Sequence, residues 1–270
     1  MHSKRPQIFG VIPVRMESTR LPGKPLRPIC GRPMVSWVYE RSRRSNLLDR
    51  LTVATDSDPI LAYCGEQGIP VVRTSAQHIS GTNRLIEVMD QESLMGNIPD
   101  IFVNIQGDEP MVTEHHVDLL LRPFRHAPWR LPPGTGDDAK RDSNEVHVST
   151  LKVAISSEAA RDPNAVKVVT NLQDRALYFS RAPVPYDRES TGRTRCYKHL
   201  GFYAYTVQAL RQFRSLPRTP LEEIEHLEQL RFLENGIPIT VVETTEDTIG
   251  VDTEEDLGRV EEYFRRTGIV

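Results

Sequence analysis

Three cations, Arg15, Arg20 and Lys24, lie close together in a loop that follows the first apolar segment of the chain. The segment itself, residues 8–12, is predicted to form a buried strand that ends at Pro13. Ligands of open α/β sheets bind beyond the carboxyl ends of the strands, so the loop suits a polyanion such as a nucleotide triphosphate. A solvated basic loop would explain the same composition. The chain has neither a P-loop motif nor a GxGxxG motif after this strand, which excludes those two phosphate-binding classes.

Two carboxylates are placed where they could hold a metal ion. Asp108 follows an apolar strand in the sequence VNIQGDEP, and Asp252 lies in the sequence GVDT before the last helix. Proteins bind Mg²⁺ through one or two carboxylates together with substrate phosphates, so this pair predicts a magnesium site. Ordinary turn residues would explain Asp108 equally well. Thr253 and Asp256 have the spacing of a capping box, which does not need Asp252.

A Ser-Gly-Thr turn precedes a predicted helix at residues 85–91. Ser80 and Thr82 offer hydroxyl groups, and the start of the helix offers free N–H groups, to a ligand, and both residues are predicted to bind the nucleotide. A helix cap would account for either residue. Arg84 is less expected in the first turn, because the helix dipole disfavours a cation there, and this favours a binding role for Arg84.

Polar residues in the last third of the chain could bind an acidic sugar. Arginines suit a carboxylate, and Glu, Gln, His and Tyr suit sugar hydroxyls. His199 and Tyr203 are predicted to share one face of a strand, and Glu225 and Gln229 one face of a helix. The complete set is Arg181, Arg188, His199, Tyr203, Glu225 and Gln229. The chain contains no GxSxG motif, so a nucleophilic triad is not indicated.

Short apolar runs that alternate with helical patterns must position these residues. The alternation predicts an α/β fold with a mostly parallel sheet flanked by helices. One helical face is predicted from Leu221, Ile224, Leu227 and Leu230. The predicted strands are residues 8–12, 51–54, 71–73, 101–105, 148–153, 202–205 and 239–242.

Length and composition fit one large α/β domain or two small ones. The chain is predicted to be a single domain over its 270 residues, with a flexible surface loop at 128–146 and a lid or dimerisation excursion at 171–200. A net charge of −3 gives no general attraction to nucleic acid or to a membrane surface. Three separated cysteines without a CxxC spacing argue against disulfides and structural zinc. No apolar run reaches the length of a signal peptide or a bilayer span, so a cytoplasmic protein is expected.

Long segments of the sequence resemble the signatures of the 3-deoxy-manno-octulosonate (KDO) cytidylyltransferases, or CMP-KDO synthetases. The resemblance covers almost the whole chain. The segments are 12–15, 18–26 (STRLPGKPL), 53–56 (VATD), 78–82 (HISGT), 104–110 (NIQGDEP), 163–169 (PNAVKVV), 176–181 (ALYFSR), 199–201 (HLG), 227–231 (LEQLR) and 250–253 (GVDT).

This resemblance implies a nucleotide-diphospho-sugar transferase fold and a homodimer formed through the excursion. It implies that the anomeric hydroxyl of an acidic 2-keto sugar attacks the α-phosphorus of CTP and releases pyrophosphate, mainly through positioning and electrostatics around Mg²⁺. Carried over by motif, Arg15, Lys24, Arg84 and Gln106 would hold CTP. Asp108 and Asp252 would hold the metal, and the set from Arg181 to Gln229 would line the sugar site. No protein nucleophile is implied.

One position departs from the family pattern. The residue between Gly-Thr and Arg is usually acidic in the family, and here it is Asn83. The departure leaves open a cytidylyltransferase for another 2-keto sugar acid, such as an 8-amino octulosonate or a sialic acid. A binding protein for CTP or sugar that lacks catalysis is a further alternative, although binding alone would not need both carboxylates.

Overall fold

The computed structural model describes residues 5–18, 20–125, 147–189 and 194–270. The predicted surface loop at 128–146 lies outside the described residues. The chain divides into two compact units, Met1–Asp118 with Thr248–Val270, and Leu119–Asp247. The single-domain organisation stays a prediction, and each unit is described by itself.

The helices and strands alternate from the strand at Arg32–Pro33 to the strand at Val148–Ile155, and three further strands in succession and then three helices in succession follow. In chain order they are β1 (Ile8–Val14), β2 (Pro28–Ile29), β3 (Arg32–Pro33), α1 (Met34–Ser42), β4 (Arg50–Thr55), α2 (Asp58–Glu66), β5 (Val71–Arg73), α3 (Gly81–Leu94), β6 (Ile101–Asn104), α4 (Glu114–Leu121), β7 (Val148–Ile155), β8 (Lys167–Thr170), β9 (Ala176–Ser180), β10 (Cys196–Thr206), α5 (Val207–Ser215), α6 (Pro220–Glu225), α7 (Leu230–Glu234), β11 (Ile239–Thr244) and α8 (Glu254–Arg266).

The first unit contains a parallel sheet with the strand order β6-β1-β4-β5. Every residue of β1 is buried, as expected for a central parallel strand with an unbroken apolar sequence. β1 continues to Val14, beyond the predicted end at Pro13. The pairing of β1 with β6 ends at Val11. Pro13, which has no N–H to donate, therefore lies beyond the part of β1 that is paired with β6. Because the strands are parallel, the loops that follow them gather at one edge of the sheet.

Helix α8 packs on α1 and on the segment between β1 and α1. The rings of Trp37 and Phe264 lie 4.8 Å apart, and the Trp37 indole N–H donates to the carbonyl of Ile29 at 2.8 Å. Leu21 and Val251 belong to the same buried cluster. This cluster therefore fixes the chain on either side of Lys24 and Asp252.

The second unit is built on the strand order β11-β7-β10, in which β7 is parallel to β11 and antiparallel to β10. β8 pairs with β10 and forms an antiparallel hairpin with β9. The predicted excursion at 171–200 begins in the turn of this hairpin. Its role as a lid or dimerisation segment stays a prediction.

The predicted helical face from Leu221 to Leu230 is wrong. α6 ends at Glu225 because His226 has left-handed backbone angles, with φ of 52°. Ile224 is 76% exposed and does not pack in a core. Gln229 lies before α7, outside both helices, so it shares no helical face with Glu225.

No helix among the described residues combines the length and the apolar character that crossing a membrane requires.

Candidate active site

The loop after β1 presents Lys24 at the ligand edge of the sheet. Gly23 has left-handed backbone angles, with φ of 68°, and precedes a 3₁₀ turn at Lys24–Leu26. Glycine adopts this conformation without the strain that a side chain would bring. The Lys24 backbone N–H donates to the carbonyl of Leu21, whose side chain is buried. The lysine is thus held by its own turn and by the core beneath it.

Asp108 follows β6 at a point where the backbones approach closely. A Cβ atom on Gly107 would lie 2.9 Å from the carbonyl oxygen of Pro13 and 2.8 Å from a methyl carbon of Val14. Only glycine fits there, so the QGD turn can pass directly beside the end of β1.

Asp252 comes from a distant part of the sequence and is fixed beside Asp108. The Val251 N–H donates to the carbonyl of Asp108 at 2.8 Å. Thr253 and Asp256 form the predicted capping box at the start of α8, and the Asp252 N–H also donates to Asp256. The Asp252 side chain takes no part in that cap. The structure therefore brings together the two carboxylates that the sequence nominates for a metal.

The Lys24 ammonium lies between these carboxylates. Its Nζ is 2.9 Å from Asp108 Oδ2 and 3.1 Å from Asp252 Oδ1, and Arg20 contacts Asp252 at 2.8 Å. Burial lowers the pKa of Lys24, but the two carboxylates outweigh that effect and raise the pKa above 10.5. The lysine is therefore fully charged at neutral pH.

The donor set fits a magnesium ion that is shared with a substrate. Both carboxylates approach one cation, which shows that the space between Asp108 and Asp252 favours positive charge. Among the described residues, no group of three or more His, Cys, Asp and Glu side chains could hold a metal by itself. Two hard oxygen ligands completed by phosphate and water are the usual arrangement for Mg²⁺.

A cavity of about 310 Å³ opens over these residues. Thr82 is buried in the first turn of α3 and does not line the cavity, unlike the other predicted nucleotide-binding and metal-binding residues. Those that line it are Arg15, Lys24, Ser80, Arg84, Gln106, Asp108 and Asp252.

The start of α3 forms one wall of the cavity. Ser80 caps the helix by accepting from the Asn83 N–H at 3.3 Å, as the alternative explanation for this residue predicts. Arg84 is buried and forms an ion pair with Asp56 at 2.8 Å, and it donates to the Thr74 hydroxyl. Asp56 thus supplies the negative charge beside Arg84 that position 83 lacks.

Two residues at this wall are absent from the predicted site. Asp56 follows directly after β4, at the same sheet edge as Asp108, so the rule that selects Asp108 would have selected Asp56. His78 lines the cavity and contacts the Glu87 carboxylate. Its position just before the Ser-Gly-Thr turn is the signal in the sequence.

In the second unit, Arg181 and Glu225 are joined by two hydrogen bonds. The Arg181 N–H donates to Glu225 Oε2 at 2.9 Å, and its Nε donates to the Glu225 carbonyl at 2.9 Å. Arg181 Nη1 also donates to the carbonyl of Pro163. Burial raises the pKa of Glu225, but the Arg181 N–H and the hydroxyls of Ser180 and Tyr178 outweigh it and lower the pKa. The Glu225 side chain is therefore ionised at neutral pH and is held in place by these hydrogen bonds.

His199 and Tyr203 lie together on β10, with ring centroids 5.4 Å apart, as predicted for one strand face. Burial, with a smaller effect of the Lys198 charge, lowers the pKa of His199 to about 3, so the ring is neutral at pH 7. Arg188 is exposed, and Gln229 is buried beside α7. Among the residues that the structure describes, no hydrogen bond joins Arg188 or Gln229 to the two pairs.

Comparison with known proteins identifies the protein family to which the chain belongs. The sequence profile of the cytidylyltransferase family matches residues 9–245, and the chain belongs to that family.

Individual relatives show which members of this family the chain resembles. The 3-deoxy-manno-octulosonate cytidylyltransferase of Acidobacterium capsulatum is 48% identical over 257 residues, which cover 95% of this chain and 96% of the relative. The enzyme of that name from Koribacter versatilis is 47% identical, over 95% of this chain and 90% of the relative. A solved structure of CMP:2-keto-3-deoxy-manno-octonic acid synthetase complexed with CTP is 38% identical. It has a TM-score of 0.85 and covers 97% of this chain and 99% of that one. The predicted family resemblance and fold class are confirmed.

Proposed function

We propose that this enzyme transfers CMP from CTP to the anomeric hydroxyl of 3-deoxy-D-manno-octulosonate and releases pyrophosphate, with Mg²⁺ as cofactor. The observation that carries the proposal is the convergence of Lys24, Asp108 and Asp252 at the cavity edge. The identity of 48% to a relative of that name supports the choice of sugar.

At the nucleotide end, cations and carboxylates have complementary tasks. Arg15 and Lys24 offset the charge of the triphosphate and of the departing pyrophosphate. Asp108 and Asp252 would hold Mg²⁺, which when bound supplies positive charge to the phosphate oxygens. Lys24 must then exchange part of its contact with the carboxylates for contact with phosphate. In the free enzyme the two carboxylates raise the pKa of Lys24, and the negative phosphate oxygens that would replace part of that contact likewise favour its charged form.

The loops around the cavity select and orient the nucleotide. Ser80, Arg84 and Gln106 line the same cavity as the cationic loop and would contact CTP. Arg84 is already oriented by Asp56, so little side-chain entropy is lost when the nucleotide binds.

At the sugar end, Arg181 and Arg188 would bind the carboxylate of the 2-keto acid. His199, Tyr203, Glu225 and Gln229 would contact its hydroxyls. Glu225 is held as an acceptor by its hydrogen bonds to Arg181 and Ser180, and His199 is neutral. These states suit recognition of hydroxyl groups.

The reaction is a direct displacement. The anomeric oxygen bonds to the α-phosphorus and releases its proton to solvent, while the bond from that phosphorus to the pyrophosphate oxygen breaks and its electron pair leaves with pyrophosphate. No covalent intermediate on the protein is needed, and the residues act by positioning the reactants and stabilising charge.

The enzyme is further proposed to be a cytoplasmic homodimer that associates through the segment 171–200. Leu172 is 99% exposed and Leu177 is 61% exposed in this segment, which supports an apolar contact with a second copy. Light scattering of the purified protein tests the mass, and Leu172→Glu should lower it to that of a monomer.

A pyrophosphate-release assay tests the function. CTP and UTP are each combined with KDO, its 8-amino analogue and a sialic acid, with Mg²⁺ or with EDTA. Rapid release from CTP and KDO that EDTA abolishes supports the proposal. A higher kcat/KM with one of the other sugars would transfer the assignment to that sugar. No release with any of them would leave the binding protein as the remaining alternative.

A further inference from the structure

The pairing of β10 with β7 shifts its register beside His199, and the hydroxyl of Thr150 on β7 contacts the carbonyl groups of β10 at that point. Leu200 pairs with Leu151, but the next pair is Tyr203 with Thr150, so β10 has two additional residues here. The carbonyl oxygens of Leu200 and Phe202 lie 3.2 Å and 2.7 Å from Thr150 Oγ1. Thr150 is fully buried, and the irregularity directs these carbonyls at its hydroxyl.

The same hydroxyl contacts the imidazole of His199. Thr150 Oγ1 and His199 Nε2 are 2.9 Å apart. A hydroxyl has one hydrogen, and the carbonyl groups of Leu200 and Phe202 can only accept. The oxygens of Thr150 and Phe202 are 2.7 Å apart, the usual distance for an O–H···O hydrogen bond, and only Thr150 can supply the hydrogen, so its hydroxyl donates to the Phe202 carbonyl. The hydrogen between Thr150 and His199 must then be on Nε2.

This assignment determines the other ring nitrogen. A neutral imidazole carries one hydrogen, so Nδ1 of His199 has a free lone pair and can only accept a hydrogen bond. Burial keeps the ring neutral, since it lowers the pKa of His199 to about 3. Phe179 packs edge-on against the ring at 5.0 Å and Tyr203 lies at 5.4 Å, so the ring is held in place. Among the described residues, none donates to Nδ1.

We propose that Thr150 is a positioning residue that fixes His199 in the Nε2–H tautomer, so that Nδ1 accepts a hydrogen bond from a hydroxyl group of the sugar. The inference rests on the proposed function, which places His199 in the sugar site. Thr150 itself touches no substrate and acts only through the imidazole.

The Thr150 hydroxyl can be removed or retained with little change in shape. Thr150→Val deletes it, and Thr150→Ser retains it while deleting a methyl group. Thr150→Val should raise the KM for KDO roughly 3- to 10-fold, the value of one neutral hydrogen bond, with the KM for CTP unchanged. Thr150→Ser should restore the KM for KDO. If both variants raise the two KM values alike, the role of Thr150 is only structural and the proposal is overturned.

The tautomer can be measured directly by ¹⁵N NMR of histidine-labelled enzyme, with His199→Gln to assign the signal. Protonated Nε2 and unprotonated Nδ1 in the wild type are expected, and protonated Nδ1 would overturn the proposal. The tautomer population should shift in Thr150→Val and return in Thr150→Ser. A wild type that does not turn over KDO would refute the proposed function instead, and the NMR spectra would still decide the assignment of Thr150.

Discussion

Replacement of Asp252 by Asn separates a metal-binding role from a stabilising one. The amide keeps the size of the side chain and removes its charge. In the free enzyme the change weakens two ion pairs, with Lys24 and with Arg20. Asp252 and Arg20 are 46% and 61% exposed, so solvent screens much of the interaction. Exposed ion pairs contribute about 0–1 kcal/mol each. Lys24 is only 14% exposed but keeps Asp108 as a partner, so we expect a loss of stability below about 2 kcal/mol.

The effect of this substitution on turnover should be much larger. Loss of one charge-assisted interaction at a reacting phosphate lowers the rate by about 10²–10³-fold, which corresponds to about 3–4 kcal/mol at the transition state. Asp252→Asn should thus lose at least 99% of kcat/KM in the pyrophosphate-release assay, while its melting temperature falls by only a few degrees.

The control for this experiment is Asp58→Asn in the same unit. Asp58 forms an ion pair with Arg73 and is 82% exposed, and it does not line the cavity. It should show a similar small change in melting temperature and full activity. If Asp252→Asn keeps more than about a tenth of the wild-type kcat/KM with the same dependence on Mg²⁺, Asp252 does not hold the metal.

Further predictions concern the cation, a buried ion pair and acid stability. Lys24→Met should slow pyrophosphate release by about 10²–10³-fold and tighten Mn²⁺ binding without CTP, since no ammonium then lies beside Asp108; unchanged turnover would contradict this. Glu222→Gln removes the buried negative charge that pairs with Arg231 and should lower the free energy of unfolding in urea by about 3–5 kcal/mol, whereas Glu222→Leu with Arg231→Leu should recover most of it; a loss below about 1 kcal/mol in Glu222→Gln would show that the pair is not buried in solution. The pKa of His199 is about 3 when folded and 6.5 when unfolded, so the unfolded chain binds more protons below pH 6.5 and stability should fall by about 3 kcal/mol from pH 7 to pH 4; His199→Gln should lack this part of the decrease, and parallel curves for the two proteins would refute the shift.

Seven of the strands could be predicted from the sequence because each contains a short apolar run, whereas β2, β3, β8 and β9 are absent from the prediction. Residues 71–73 match β5, and the other predicted strands all overlap observed ones. The helix predicted over Leu221–Leu230 failed for a local reason. The spacing of its leucines fits one helix, but the left-handed backbone at His226 ends α6, and apolar spacing carries no information about that angle.

The site residues show a similar limit. The sequence could assign Asp108 to the ligand edge because a strand leads directly to it. It could not show that Asp252 joins it, because that depends on a hydrogen bond from Val251 to the Asp108 carbonyl. Arg84 was notable as a cation at a helix start, and its partner Asp56 lies on another strand end. Pairings of this kind are properties of the folded chain.

The first unit is assembled from two stretches of chain, with the whole of Leu119–Asp247 between them. During translation, Lys24 and Asp108 leave the ribosome long before Asp252 and α8. A nascent chain can therefore form the parallel sheet of this unit but not its pair of carboxylates. Closing so long a loop is slow compared with local folding. The proposed binding of metal and triphosphate should consequently become possible only late in synthesis, after the intervening unit has been made.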